Sequence, residues 1–153
     1  NAALQVEHVP FEHPLWVVYS SGTTGLPKPL VHSQGGIVIE HVKLSAFHLD
    51  LGPEDRFHWF SSSGWIMWNC QMAGLLMGST ICIYDGNPGG STPGTHDWST
   101  LWRFAGLARV SFFGAGAAFF LSCLKAHVEP REVADLSALR AVGSTGSPLP
   151  PAR

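Results

Sequence analysis

Charge is what this sequence has least of. Asp, Glu, Lys and Arg make up 13% of its 153 residues, roughly half the share of about 25% found in ordinary globular domains. The net charge of −2 leaves no basic footprint for nucleic acid. No apolar run approaches the roughly 18 residues needed to span a bilayer, and no signal-peptide pattern opens the chain. The three cysteines, Cys70, Cys82 and Cys123, are odd in number and far apart, which excludes a disulfide framework and a zinc knuckle. They read as reduced, buried thiols of a cytoplasmic protein. None of the eight histidines stands four residues from another, so no metal site is expected. Carboxylates are sparse, and no spaced pair points to acid–base work.

Apolar side chains, in contrast, make up 45%, with six Trp and nine Phe. That is ample for one core and argues against disorder. The excess over the charged residues implies faces that meet other protein. Together with the first residue, Asn1, and the ending Pro150-Pro151-Ala152-Arg153, it makes a piece of a longer chain the expectation.

Short β-rich runs recur at 15–19 (LWVVY), 57–60 (FHWF), 80–84 (TICIY), 110–113 (VSFF) and 139–142 (LRAV). They are continuous rather than alternating, as in strands of a parallel sheet covered on both faces. Helical patterns lie between them. Ser33 is placed to cap a helix to about Leu49, with Val38, Val42, Ala46 and Leu49 on one face and Glu40 and Lys43 forming a solvated pair. Residues 65–77 are apolar nearly all round and read as a buried helix. Asp97 caps a helix through Ala108, and 117–127 forms another. The order predicts an α/β fold, a mostly parallel sheet with flanking helices joined by right-handed crossovers. Residues 85–96 (DGNPGGSTPGTH) form a long surface loop.

The chemistry concentrates after the first strand, in Ser20-Ser21-Gly22-Thr23-Thr24-Gly25-Leu26-Pro27-Lys28. Gly22 and Gly25 let backbone amides converge. Four hydroxyls and the Lys28 ammonium complete an anion cradle suited to polyphosphate. It is not a Walker A loop, because Pro27 precedes Lys28 and Pro29 follows it, which biases Lys28 away from helix. The plain alternative is an ordinary Gly/Ser/Thr turn.

The string YSSGTTGLPK resembles the phosphate-binding signature of the adenylate-forming superfamily. The segments FEHPLWVVYSSGTTGLPKPLVHSQGG, HLDLGPEDRFHWFSSSGWIMWN, ICIYDGNPG and VSFFGAGAAF resemble its acetoacetyl-CoA synthetase branch, over roughly residues 11–150. The resemblance implies that residues 1–153 are part of the large N-terminal AMP-binding domain, with the C-terminal domain absent. It implies ATP, Mg²⁺ and CoA as cofactor and co-substrates, acetoacetate as substrate, and the rest of the parent chain as partner. It assigns Ser20, Ser21, Gly22, Thr23, Thr24, Gly25 and Lys28 to the phosphates, with Lys28 catalytic. Gly146, Ser147 and Pro148 fall at the adenine turn.

Trp65, Met67, Trp68 and Asn69, with Gly114, Ala115 and Gly116, fall at the acyl pocket. Packing of a buried helix by the tryptophans, and close helix–strand packing at the glycines, are the simpler readings. Another short-chain synthetase, for acetate or propionate, is the nearest alternative function, and a non-catalytic nucleotide-binding fragment is another. The superfamily's later motifs do not occur in these residues, so the piece alone is expected to be inactive.

Overall fold

The computed structural model describes residues 2–20, 25–90, 92 and 94–148. They form two compact units that divide after Leu49.

The first unit is a hairpin followed by a helix. Strand β1 (Pro14–Ser20) pairs antiparallel with β2 (Lys28–Ser33), with Trp16 opposite His32 and Ser20 opposite Lys28. The indole Nε1–H of Trp16 donates to Nδ1 of His32 at 2.9 Å. This corrects the sequence expectation for residues 15–19. They form one edge of a two-stranded antiparallel ribbon, and only Trp16 and Val18 are half-buried. The alternation is real, but apolar side chains at the exposed positions hide it. The helix α1 (Gln34–Lys43) starts as expected, with Ser33 Oγ accepting from Gly36 N at 3.2 Å. Its last turn, Leu44–His48, widens into a π-helix. Glu40 and Lys43 form an exposed ion pair.

The second unit is a parallel sheet of order β4-β3-β5-β6. The strands are β3 (Arg56–Trp59), β4 (Thr80–Ile81), β5 (Phe112–Gly116) and β6 (Ala141–Thr145). Alternation puts Phe57, Trp59, Phe112, Gly114 and Gly143 on one face, and His58, Phe113 and Ala115 on the other. Helices α3 (Thr100–Leu107) and α4 (Ala117–Lys125) build the main core with Phe113 and Ala115. There Trp102 stacks on Phe113 with ring centres 4.7 Å apart, and its N–H points to Cys123 Sγ at 3.4 Å. On the Phe57 face lies α2 (Ile66–Ala73), where a Cβ on the following Gly74 would stand 2.9 Å from the Phe57 ring.

His58 is 1% exposed. Its Nδ1 lies 2.7 Å from the carbonyl of Cys82 and must donate, since a carbonyl only accepts. Burial among Phe104 and Phe113 holds its pKa down to about 4. The ring is therefore a neutral core histidine.

Several bounds differ from the sequence reading. Strands β5 and β6 begin two residues late and run on through Gly116 and Thr145. Glycines that read as strand ends are ladder members here. Strand β4 is shorter than expected, although Cys82 N still bonds Phe57 O at 2.8 Å. The stretch 65–77 splits into α2 and a 3₁₀ turn, Gly74–Met77. It is not buried all round, because Trp65 is 72% and Leu75 54% exposed. Asp97 caps the turn ahead of α3, accepting from Ser99 N at 3.1 Å, rather than the helix itself. A short helix α5 (Pro130–Val133), opened by a proline whose missing N–H costs nothing there, was not foreseen.

Candidate active site

In a parallel sheet all strands end on the same side, and the loops leaving those ends enclose the space where ligands bind. The second unit has a cavity of about 480 Å³ in that place, within the range of small-molecule sites. Phe60, Ser61 and Ser62 reach it as the chain leaves β3, and Trp65 and Met67 follow from the start of α2. Gly116 ends β5 and is the N-cap of α4, whose first turns present Ala118, Phe119 and Ser122. Thr145 and Gly146 arrive from β6. Gly146 sits at φ +92°, a left-handed turn that a side chain would strain. Pro88 and Trp98, from the long loop and its end, close another side. The wall is overwhelmingly apolar, with Ser61, Ser62, Ser122 and Thr145 as its hydroxyl residues.

The structure brings together four of the residues singled out in the sequence, namely Trp65, Met67, Gly116 and Gly146. Ser147 and Pro148 follow directly and are exposed. Trp68 and Asn69 are half-buried on α2, off the cavity lining. Gly114 lies beneath a ring instead, since a Cβ there would stand 2.2 Å from the Trp59 indole. Ala115 is fully buried in the core on the opposite face. Sequence reasoning missed Trp59, Phe119 and Trp98 as wall residues. Their apolar character made them look like ordinary core, and only the ends of the strands reveal the opening beside them.

The described residues that the sequence suggests for a phosphate loop, Ser20, Gly25 and Lys28, belong to the first unit. Ser20 ends β1 and Lys28 begins β2, in register across the hairpin, so the base of the loop is closed by a strand pair. Lys28 is exposed and extended, with no helix opening behind it, as Pro29 requires. A Cβ on Gly25 would meet nothing within 4 Å. Ser21, Gly22, Thr23 and Thr24 lie outside the described residues.

Burial pushes the thiols of Cys70, Cys82 and Cys123 above their ordinary range, which keeps them protonated and unreactive. All three are free. Among the described residues no three His, Cys, Asp or Glu side chains cluster to hold a metal. No helix among them is long and apolar enough to cross a membrane.

The family model described as AMP-binding enzyme matches residues 2–153. The acetoacetyl-coenzyme A synthetase of Rhizobium meliloti (strain 1021) is 43% identical over 97% of this chain and 22% of its own length. The malonamoyl-CoA synthetase of Penicillium aethiopicum is 36% identical, again over 97% and 22%. The solved structure of acetoacetyl-CoA synthetase from Streptomyces lividans superposes with a TM-score of 0.87 at 53% identity, over 98% of this chain and 22% of that one. The chain thus spans about a fifth of the length of the relatives it matches. A match over the β1–β2 hairpin and the cavity-bearing sheet alike leaves one assignment: the chain belongs to the AMP-binding enzyme family.

Proposed function

We propose that this chain is part of the large N-terminal domain of a cytoplasmic, AMP-forming acid–thiol ligase that converts acetoacetate to acetoacetyl-CoA. The observation that carries this reading is the 53% identity, over 98% of the chain, to a solved acetoacetyl-CoA synthetase. The relative named for malonamoyl-CoA adds that an acid with a second carbonyl two carbons from the carboxylate suits this branch.

In the reaction a carboxylate oxygen attacks the α-phosphorus of ATP and pyrophosphate leaves. The thiolate of CoA then attacks the acyl carbon and AMP leaves. Carboxylate and ATP repel each other, so positive charge must lie where negative charge accumulates. We assign this to Lys28 and the loop of Ser20, Ser21, Gly22, Thr23, Thr24 and Gly25, which hold the departing phosphates. Gly146, Ser147 and Pro148 take the adenine edge. Trp65, Met67 and Gly116 line the acyl pocket, whose apolar wall keeps water from the mixed anhydride. Mg²⁺ would enter as the nucleotide complex, held mainly by its phosphates. The exposed apolar residues Trp65, Ile66, Leu75 and Leu107 are faces that the rest of the parent chain covers.

The test is AMP release by the full-length parent with ATP and CoA, comparing acetoacetate, acetate and propionate. Acetoacetate should give the highest kcat/KM. A preference for acetate or propionate would replace this substrate assignment.

A further inference from the structure

We propose that Trp59 sets the length of acyl chain this site accepts, through an indole that two neighbouring strands are built to seat. The proposal rests on the reading of the cavity as an acyl pocket. Trp59 is the last residue of β3 and only 6% exposed, yet it lies on the cavity wall. The parallel ladder places it on one rung with Gly114 of β5 and Gly143 of β6. Both partners lack a side chain, and both need to. A Cβ on Gly114 would stand 2.2 Å from the indole, and one on Gly143 would stand 2.6 Å from it. The ring therefore lies across the backbone of two strands instead of standing up from its own.

It is also fixed from other directions. Phe112 stacks beside it, with ring centres 6.3 Å apart and planes 25° from parallel. Its backbone N–H donates to Oε1 of Gln71, 2.6 Å away on α2, and Gln71 is itself 1% exposed. With backbone beneath it, the indole has no room to retreat from a longer ligand. Trp65, the wall that the sequence favours, is 72% exposed and has no comparable seat. Rigid walls discriminate by length, and one methylene is worth roughly 10–200-fold in an apolar pocket.

The experiment uses the full-length parent and ATP–pyrophosphate exchange on straight-chain and 3-oxo acids of increasing length. Trp59→Leu should raise kcat/KM for a six-carbon acid relative to its four-carbon counterpart by about 10-fold or more. Trp59→Phe should move the same ratio less. Gly143→Ala should impair the parent, and should be tolerated once Trp59→Leu has removed the clash. A folded Trp59→Leu parent with an unchanged length profile overturns the proposal. Should that variant not fold, an unchanged ratio in Trp59→Phe overturns it equally. The wild-type profile is a separate readout. A parent that ignores acetoacetate refutes the substrate assignment, while the shift of each variant against its own wild type still decides the role of Trp59.

Discussion

At the scale of single residues, Lys28 is where sequence and chemistry meet most directly. It stands between Pro27 and Pro29 at the start of β2, opposite Ser20. The prolines restrict the backbone on both sides and each lacks its own N–H, and under the proposed assignment the Lys28 ammonium is the group that reaches a phosphate. Under that assignment its charge would act while pyrophosphate is leaving and not once pyrophosphate has gone. In the full-length parent, Lys28→Ala should therefore slow adenylation by about 10²–10³-fold, the usual cost of losing one donor to a developing anion. Transfer from preformed acyl-adenylate to CoA should change by only a few fold. Measuring the two half-reactions separately checks this, and equal losses in both would remove Lys28 from the phosphate site. Residues of this kind are legible in a sequence because their backbone and charge requirements are local. Trp59 is the opposite case. Nothing near it in the chain marks it, since its seat is made by Gly114 and Gly143, brought beside it by strand pairing.

At the scale of elements, the parallel strands are fastened together at their amino ends by one half-buried carboxylate. Asp55, just before β3, accepts from Ser111 Oγ at 2.6 Å and from Gly52 N at 2.9 Å, and pairs with Arg140 Nε at 2.9 Å. Ser111 precedes β5 and Arg140 precedes β6, so one side chain ties three strands at the end remote from the cavity. Burial by itself would raise the Asp55 pKa, but Arg140, Ser111 and the Gly52 amide outweigh it and hold the carboxyl down to about 2. A folded pKa below the unfolded value of about 3.9 means that the stabilisation is complete above pH 4 and fades as pH falls toward 2. The shift corresponds to about 3 kcal/mol at most, and nearer 1 kcal/mol because the Arg140 side chain is 36% exposed. Asp55→Asn should accordingly lower the denaturant midpoint at pH 7 and flatten its decline below pH 4. An unchanged decline would show that other carboxylates carry the acid lability. Sequence periodicity found β3 and the helices α1 and α4 because their apolar patterns are local. It placed residues 15–19 in the wrong sheet because β2, their partner, is a six-residue strand whose identity depends on pairing across the loop. It stopped β5 and β6 early because glycine reads as a breaker wherever the ring that requires it is out of view.

At the scale of the whole molecule, the charge content is low, several large apolar side chains are exposed, and the chain spans 22% of the length of its relatives. Phe47 is 81% and Leu107 89% exposed. The described residues of the second unit supply an apolar cavity, and the first unit supplies the strand pair that flanks the proposed phosphate loop. Forming the acyl-adenylate requires the carboxylate and the α-phosphorus to be held in line at close range, and loose positioning forfeits most of the rate. The 153-residue chain by itself is therefore expected to give no acetoacetate-dependent ATP–pyrophosphate exchange above background, whereas the full-length parent should exchange readily under the same conditions. Calorimetry on the same chain with ATP and Mg²⁺ separates two reasons for silence. Weak binding without exchange would mean that the loop forms and the catalytic surroundings are missing. No binding would mean that the loop itself depends on the rest of the parent. Clear exchange by the isolated chain would instead place the entire adenylation apparatus within these residues, and would overturn the expectation that they are inactive alone.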